Sequence, residues 1–237
     1  MLLRTIIFIL FLMQLPFSGK AINNDSIVNP IFSAIYMQQF ERAEALLQKE
    51  KDQLDAFYFN VLNIDLLWWK FSSTRSKEDA EKLNDRLEKY IKSGIEKNDT
   101  VAQLIGKSYQ IRFARKKFNL FEVISFRSEV NDLLSELDRN KLSISGNELK
   151  LFDLYIDLFH YFSLVNPFSV WSKSAERDFY ISKMEVFAGD ENLIVKTMAD
   201  YFLGRIYQKV EREPEKASIH FLILTRQFPA NQLFLEH

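Results

Sequence analysis

From Asn29 onward, apolar residues recur at three-and-four spacing almost continuously, which is the mark of helices with one buried face. Leu54–Ser72 carries Leu54, Tyr58, Val61, Leu62, Trp68 and Trp69 on this spacing. The segment after Ser76 sets Leu83, Leu87, Tyr90 and Ile91 on one side and Lys and Glu on the other, so it predicts a surface helix packed on a single face. Glu148–Leu164 is apolar on nearly every side and predicts a helix with neighbours all round. Start signals agree: Pro30 in a first turn after Asp25 or Asn29, Ser76 with Asp79 as a loose capping box, and Asp99 or Thr100. Arg115-Lys116-Lys117 falls in a last turn, where cations suit the helix dipole and no ligand is needed to explain them.

The remaining elements expected are a helix to about Gln38, then Phe40–Lys51, Leu120–Asn140, Phe168–Ala188, Glu191–Val210 and Pro214–Phe228. Turns fall at Ser143–Asn147 and Asn166-Pro167, and Pro229 is the stop. The chain thus reads as all-α, about ten helices in antiparallel hairpins joined by short loops. No linker or low-complexity stretch divides it, so residues 22–237 form one domain.

Composition sharpens this picture. Six Gly and five Pro in 237 residues are too few for the many tight turns of a β-sandwich or barrel. The 22 Phe predict a core thick with aromatic rings. With 31 basic against 32 acidic residues there is no positive surplus to drive nucleic-acid binding through phosphates. Residues 1–21 read as a signal peptide: Arg4, an apolar run from Ile6 to Leu15, then Gly19 and Ala21 suiting a cut after Ala21. That run is about ten residues, half of the roughly 20 needed to span a bilayer. The chain has no cysteine, hence no disulfide framework and no lipid-anchoring cysteine. An exported protein of this kind fits a bacterial periplasm or cell exterior, with no membrane span after cleavage.

One internal likeness stands out. Leu104-Ile105-Gly106-Lys107-Ser108-Tyr109-Gln110 is matched, 98 positions on, by Phe202-Leu203-Gly204-Arg205-Ile206-Tyr207-Gln208. Glycine inside a helix costs roughly 1 kcal/mol against alanine, so both glycines imply a neighbouring helix crossing close. Leu203, Gly204 and Tyr207, followed by Ala217, Phe221 and Pro229, resemble a tetratricopeptide repeat. The turn near Glu211–Pro214 holds one residue too many, and Asp200 stands where the repeat has tryptophan. Phe40–Leu47 is similar to the second helix of another unit. The resemblance implies hairpins stacked as a right-handed superhelix, an α-solenoid whose concave face binds peptides or proteins.

Chemistry is sparse. No thiol, G-x-S-x-G, Walker loop, H-E-x-x-H or dinucleotide fingerprint is present, and no cofactor, metal or catalytic constellation is expected. His160 reads as a core or rim histidine, and Asp153 with Asp157 as solvated face residues. Trp68 and Trp69 are adjacent and point about 100° apart on a helix, so they cannot share a face. Either both are core, or one fronts a binding groove; Trp171 poses the same choice. The function expected is a non-catalytic interaction scaffold for a protein or peptide partner. Its rivals are an all-α enzyme acting on an envelope or extracellular polysaccharide, and one end of a larger assembly. The last rests on the lack of a polar capping helix after Pro229.

Overall fold

The computed structural model describes residues 24–165 and 175–235. The expected signal peptide and Trp171 lie outside these. Among the described residues the chain is all-helical, with eleven helices and no strand. They are α1 Asn24–Tyr36, α2 Phe40–Lys49, α3 Ala56–Thr74, α4 Lys77–Glu96, α5 Thr100–Lys116 and α6 Leu120–Ser135. Then come α7 Gly146–Leu164, α8 Ala175–Ala188, α9 Leu193–Ile206, α10 Pro214–Gln227 and the single turn α11 Gln232–Leu235.

Polar side chains set the helix starts. Asp55, Ser76, Asp99, Asn119 and Asn192 each accept a hydrogen bond from a first-turn backbone N–H, satisfying donors that have no partner within the helix. The Ser76 box closes with the Asp79 carboxylate taking both Ser76 Oγ (2.8 Å) and Thr74 Oγ1 (2.6 Å). Helix ends are less orthodox. With glycine scarce, Gln38, Arg75, Asn98, Phe118 and Arg212 take the left-handed conformation just past helices, at φ 51–58°. Only asparagine among these adopts it readily.

Boundaries differ from expectation in three places. The helix expected to reach Asn140 stops at Ser135, and Asp138 opens a separate turn at Arg139–Lys141. Gly146 is the first residue of α7, at φ 55°, rather than mid-turn. Past Ile206 the helix widens into a π-turn over Tyr207–Glu211. Such a turn lodges one extra residue within the helical path.

Successive helices pack as hairpins, except that α6 and α7 barely touch, and the alternate ones carry the architecture. α1 touches α3, α3 touches α5, α5 touches α7, α7 touches α9, and α9 returns to α1. The odd helices therefore form a closed inner ring, with the even helices α2 to α10 packed outside it. Closure is bonded as well as packed: Asn192 Nδ2 donates to Asp25, and Asn231 Nδ2 to the Tyr36 carbonyl. Phe228 and Phe234 set their rings 5.3 and 6.3 Å from Tyr36. The end expected to lack a cap is thus covered by α1.

The repeat residues are buried, except for Pro229, which is exposed in the turn after α10. Their two glycines play different parts. A Cβ on Gly204 would stand 3.0 Å from Phe221, on the helix that follows. On Gly106 it would stand 2.4 Å from Ile91, on the helix that precedes. A helix does cross close at each, but the likeness of the two segments does not reflect one packing relation used twice.

Candidate functional site

Neighbours in each hairpin run antiparallel, and across the gap between α6 and α7 the pairs Tyr109–Tyr155 and Arg115–Phe162 set α5 and α7 parallel. The odd helices therefore run parallel, and their C-terminal ends meet at one mouth of the ring. The ring's centre below that mouth is polar. Tyr109 Oη donates to Asp65 (2.7 Å), and Tyr155 Oη donates to Tyr109 Oη (3.4 Å). Burial pushes the Asp65 carboxyl up, while Arg112 and the Tyr109 hydroxyl pull it back. Burial also raises the phenols of Tyr36, Tyr109 and Tyr155, so they stay protonated donors. These residues come from α1, α3, α5 and α7, and fix the register of four inner helices at once.

Arg112 sits between this centre and the mouth. Its guanidinium lies 4.4 Å over Trp68 and 4.6 Å over Tyr109, with Tyr201 and Phe202 at 5.7 and 5.8 Å. Both terminal nitrogens are covered and have no hydrogen-bond partner among the described residues. Burying a charge without an ion pair is costly. Aromatic faces return about 2 kcal/mol or more to a desolvated cation.

Above it opens a groove of about 430 Å³. Trp68, Trp69, Leu158, Phe162 and Phe202 give it an apolar floor, and Phe118 forms a lip. Six cationic side chains line it: Arg75 after α3, Arg112, Arg115 and Lys116 from α5, Arg205 from α9 and Lys209 from the π-turn. Among the described residues no carboxylate lines it. Four helix C-termini converge here, and each carries roughly −0.5 of a charge, about −2 together. Dipole compensation thus accounts for about two of the six cations, and Asp65 beneath Arg112 offsets part of a third. Burial, and then the Arg205 and Arg127 guanidiniums, depress Arg115 below its usual value.

The structure places both tryptophans in the floor. Trp68 is 4% exposed and packs on Tyr109 and Phe71; Trp69 is 1% exposed and packs on Tyr36, Tyr201 and Phe234. They serve two interfaces, as their angular offset requires, and both back onto one groove. Sequence reasoning missed the cations. Arg115 and Lys116 were visible as a cluster, but their meeting with Arg75, Arg205 and Lys209 depends on ring closure.

Elsewhere the pairings differ from expectation. Asp157 is not solvated: it is 2% exposed and ion-paired with Lys183 of α8, because α7 is enclosed on several sides. Asp153 accepts from Arg139 at 2.6 Å. His220 meets the buried Asp200 at 2.9 Å, which gives the polar residue at the repeat's tryptophan position a partner. A second hollow, about 570 Å³, gathers His160, Ser163 and Glu176. There Ser163 Oγ donates to the His160 carbonyl and the imidazole stacks on Tyr180, so hydroxyl and ring nitrogen are not coupled.

No protein-family model, no curated protein and no solved structure matches this chain. Among the described residues no helix is long and apolar enough to cross a membrane.

Proposed function

We propose that this chain is an exported, non-catalytic helical scaffold that holds a segment of a protein partner in the basic mouth of its ring. The observation carrying the reading is the groove itself: an aromatic floor with six cationic side chains in its lining. A volume near 430 Å³ is in the range of binding pockets. Tryptophan and arginine are the side chains most enriched where binding energy concentrates. A floor of Trp and Phe, with no carboxylate in the lining among the described residues, offers purchase to a bound segment and favours binding over glycan cleavage. The fold belongs to the same proposal. Gly204 against Phe221, with Leu203, Tyr207 and Ala217 buried, supports a tetratricopeptide-like hairpin, and the hairpins form a stack whose ends meet. Export rests on the Arg4, Ile6–Leu15 and Ala21 pattern.

The test is photo-crosslinking in the native envelope, with the reactive side chain placed at Arg75, at Lys209, or at exposed Ile219 on α10. One protein captured from the first two positions and not from the third supports the reading. Turnover of an envelope glycan with no protein captured at the mouth defeats it.

A further inference from the structure

The π-helix is rare, and single turns of it recur at functional positions. The one at Tyr207–Glu211 brings Lys209 and Val210 into the lining of the mouth. Its last backbone links reach back to the Tyr207 carbonyl, from the N–H of Arg212 and from that of Glu213 at 2.9 Å. Backbone bonding alone does not favour this winding, because α winding offers each N–H an equally good carbonyl one residue nearer. The preference therefore lies with side chains, and those at both ends of the turn are held from outside it. Tyr207 Oη donates to Glu185 of α8 at 2.7 Å. Tyr161 Oη, on α7, donates to Glu211 Oε1 at 2.6 Å, and Arg177 of α8 lies 3.9 Å from the same oxygen. The Glu211 and Arg177 side chains are only 4% and 11% exposed, so the pair is closed off from water. Burial, followed by the bond to Glu211, holds the Tyr161 phenol above its usual value, which keeps it a donor.

We propose that Glu211 is the positioning residue of the mouth: anchored by Tyr161 and Arg177, it holds the end of α9 in π winding and so turns Lys209 and Val210 into the groove. Rewinding the turn as α-helix advances Glu211 by the one residue that a π-turn lodges, about 100° of rotation. That swing carries the carboxylate off both partners, and a buried charge that loses its partner is strongly unfavourable. Tyr207 cannot serve as the anchor, because the first residue of the turn keeps nearly the same direction in either winding. The competing cause is the exit into α10, where Arg212 is left-handed and Pro214 opens the next helix. Changes at Glu211 leave both of those untouched. The inference concerns the shape of the lining; only its effect on capture rests on the binding role proposed above.

The chain has no cysteine, so nitroxide labels attach only where cysteines are introduced. Arg75→Cys with Lys209→Cys, two exposed positions of the lining, reports the π-turn by electron–electron distance, and Arg75→Cys with Lys117→Cys serves as the control pair. Lys209 sits midway along the turn and swings through about half of the full rotation, so Glu211→Leu is expected to shift the first distance by about 5 Å. The control distance stays unchanged. Tyr161→Phe, which deletes one oxygen atom, is expected to give a mixture of the two distances, and it carries the test should Glu211→Leu not fold; circular dichroism decides that. In the native envelope, Glu211→Leu lowers capture from a crosslinker at Lys209 several-fold and leaves capture from Arg75 in place. An unchanged Arg75–Lys209 distance in both variants, or an equal movement of the control pair, overturns the inference and leaves the scaffold reading to its own crosslinks. If the distance shifts but the unaltered mouth captures no protein, the scaffold reading falls and this inference stands.

Discussion

At the scale of single residues, two glycines that look alike in the sequence differ in how much room surrounds them. Gly106 would place a methyl 2.4 Å from Ile91 Cγ1, deep between α4 and α5, whereas Gly204 faces the rim of the Phe221 ring at 3.0–3.2 Å. Alanine gains about 1 kcal/mol of helix propensity at either site. Overpacking costs about 1–3 kcal/mol where the neighbour cannot yield. Gly106→Ala should therefore lose about 1–2 kcal/mol in urea unfolding, and Gly204→Ala should come out near zero. The cost at Gly106 should shrink in an Ile91→Ala background, a coupling a double-mutant cycle measures. Phe118 shows the opposite bargain. It holds a left-handed backbone with its ring in water, so Phe118→Gly should raise stability by about 1 kcal/mol while weakening ligand binding. The helical spacing made the burial of residues such as Tyr109 and Leu203 legible. The left-handed helix ends at Arg75 and Phe118 were not, because neither side chain signals a positive φ.

At the scale of helices, the N-terminal ends of α3 and α7 bring two carboxyls together. Glu148 hydrogen-bonds to Asp55, and burial, followed by the Asp55 charge, pushes it from 4.5 up to about 7. Between those values the folded chain holds a proton that the unfolded chain has released, so stability falls as pH rises through that window. The full shift corresponds to about 3 kcal/mol. Glu148 is half-exposed, and solvent screening leaves about 1 kcal/mol of it. Urea midpoints should therefore drop between pH 5 and 7.5, and Glu148→Gln should flatten that drop. Amphipathic spacing placed both helices correctly. It carried no information on which helix starts lie side by side, because a capping Asp reads the same whether its neighbour is water or another carboxyl. The same limit hid the groove. Arg115 and Lys116 are adequate dipole partners for α5 alone, and only the fold brings Arg205 and Lys209 beside them from α9 and its π-turn.

At the scale of the whole molecule, the return of α9 to α1 separates this chain from an open array. In an open stack each unit touches only its neighbours and the ends loosen independently. Here the Phe234 ring lies 6.3 Å from Tyr36 and 5.4 Å from Trp69. Phe234→Ala should cost about 3 kcal/mol, and should also speed amide exchange in Asn24–Tyr36, some 200 positions away in sequence. Unchanged protection in α1 would mean the two ends behave as separate units. Closure was beyond the reach of local pattern, because nothing in the spacing of Phe32, Tyr36 or Phe228 says that they face one another. A ring also has no privileged starting point. Leu235 lies at the Tyr36 end of α1, so a new join from it to Asn24 runs the length of a thirteen-residue helix, about 20 Å. A linker of about eight residues covers that distance. A circular permutant opened instead at Lys97–Asp99, in the loop between α4 and α5, should keep the five inner helices in the same cyclic order and present the same mouth.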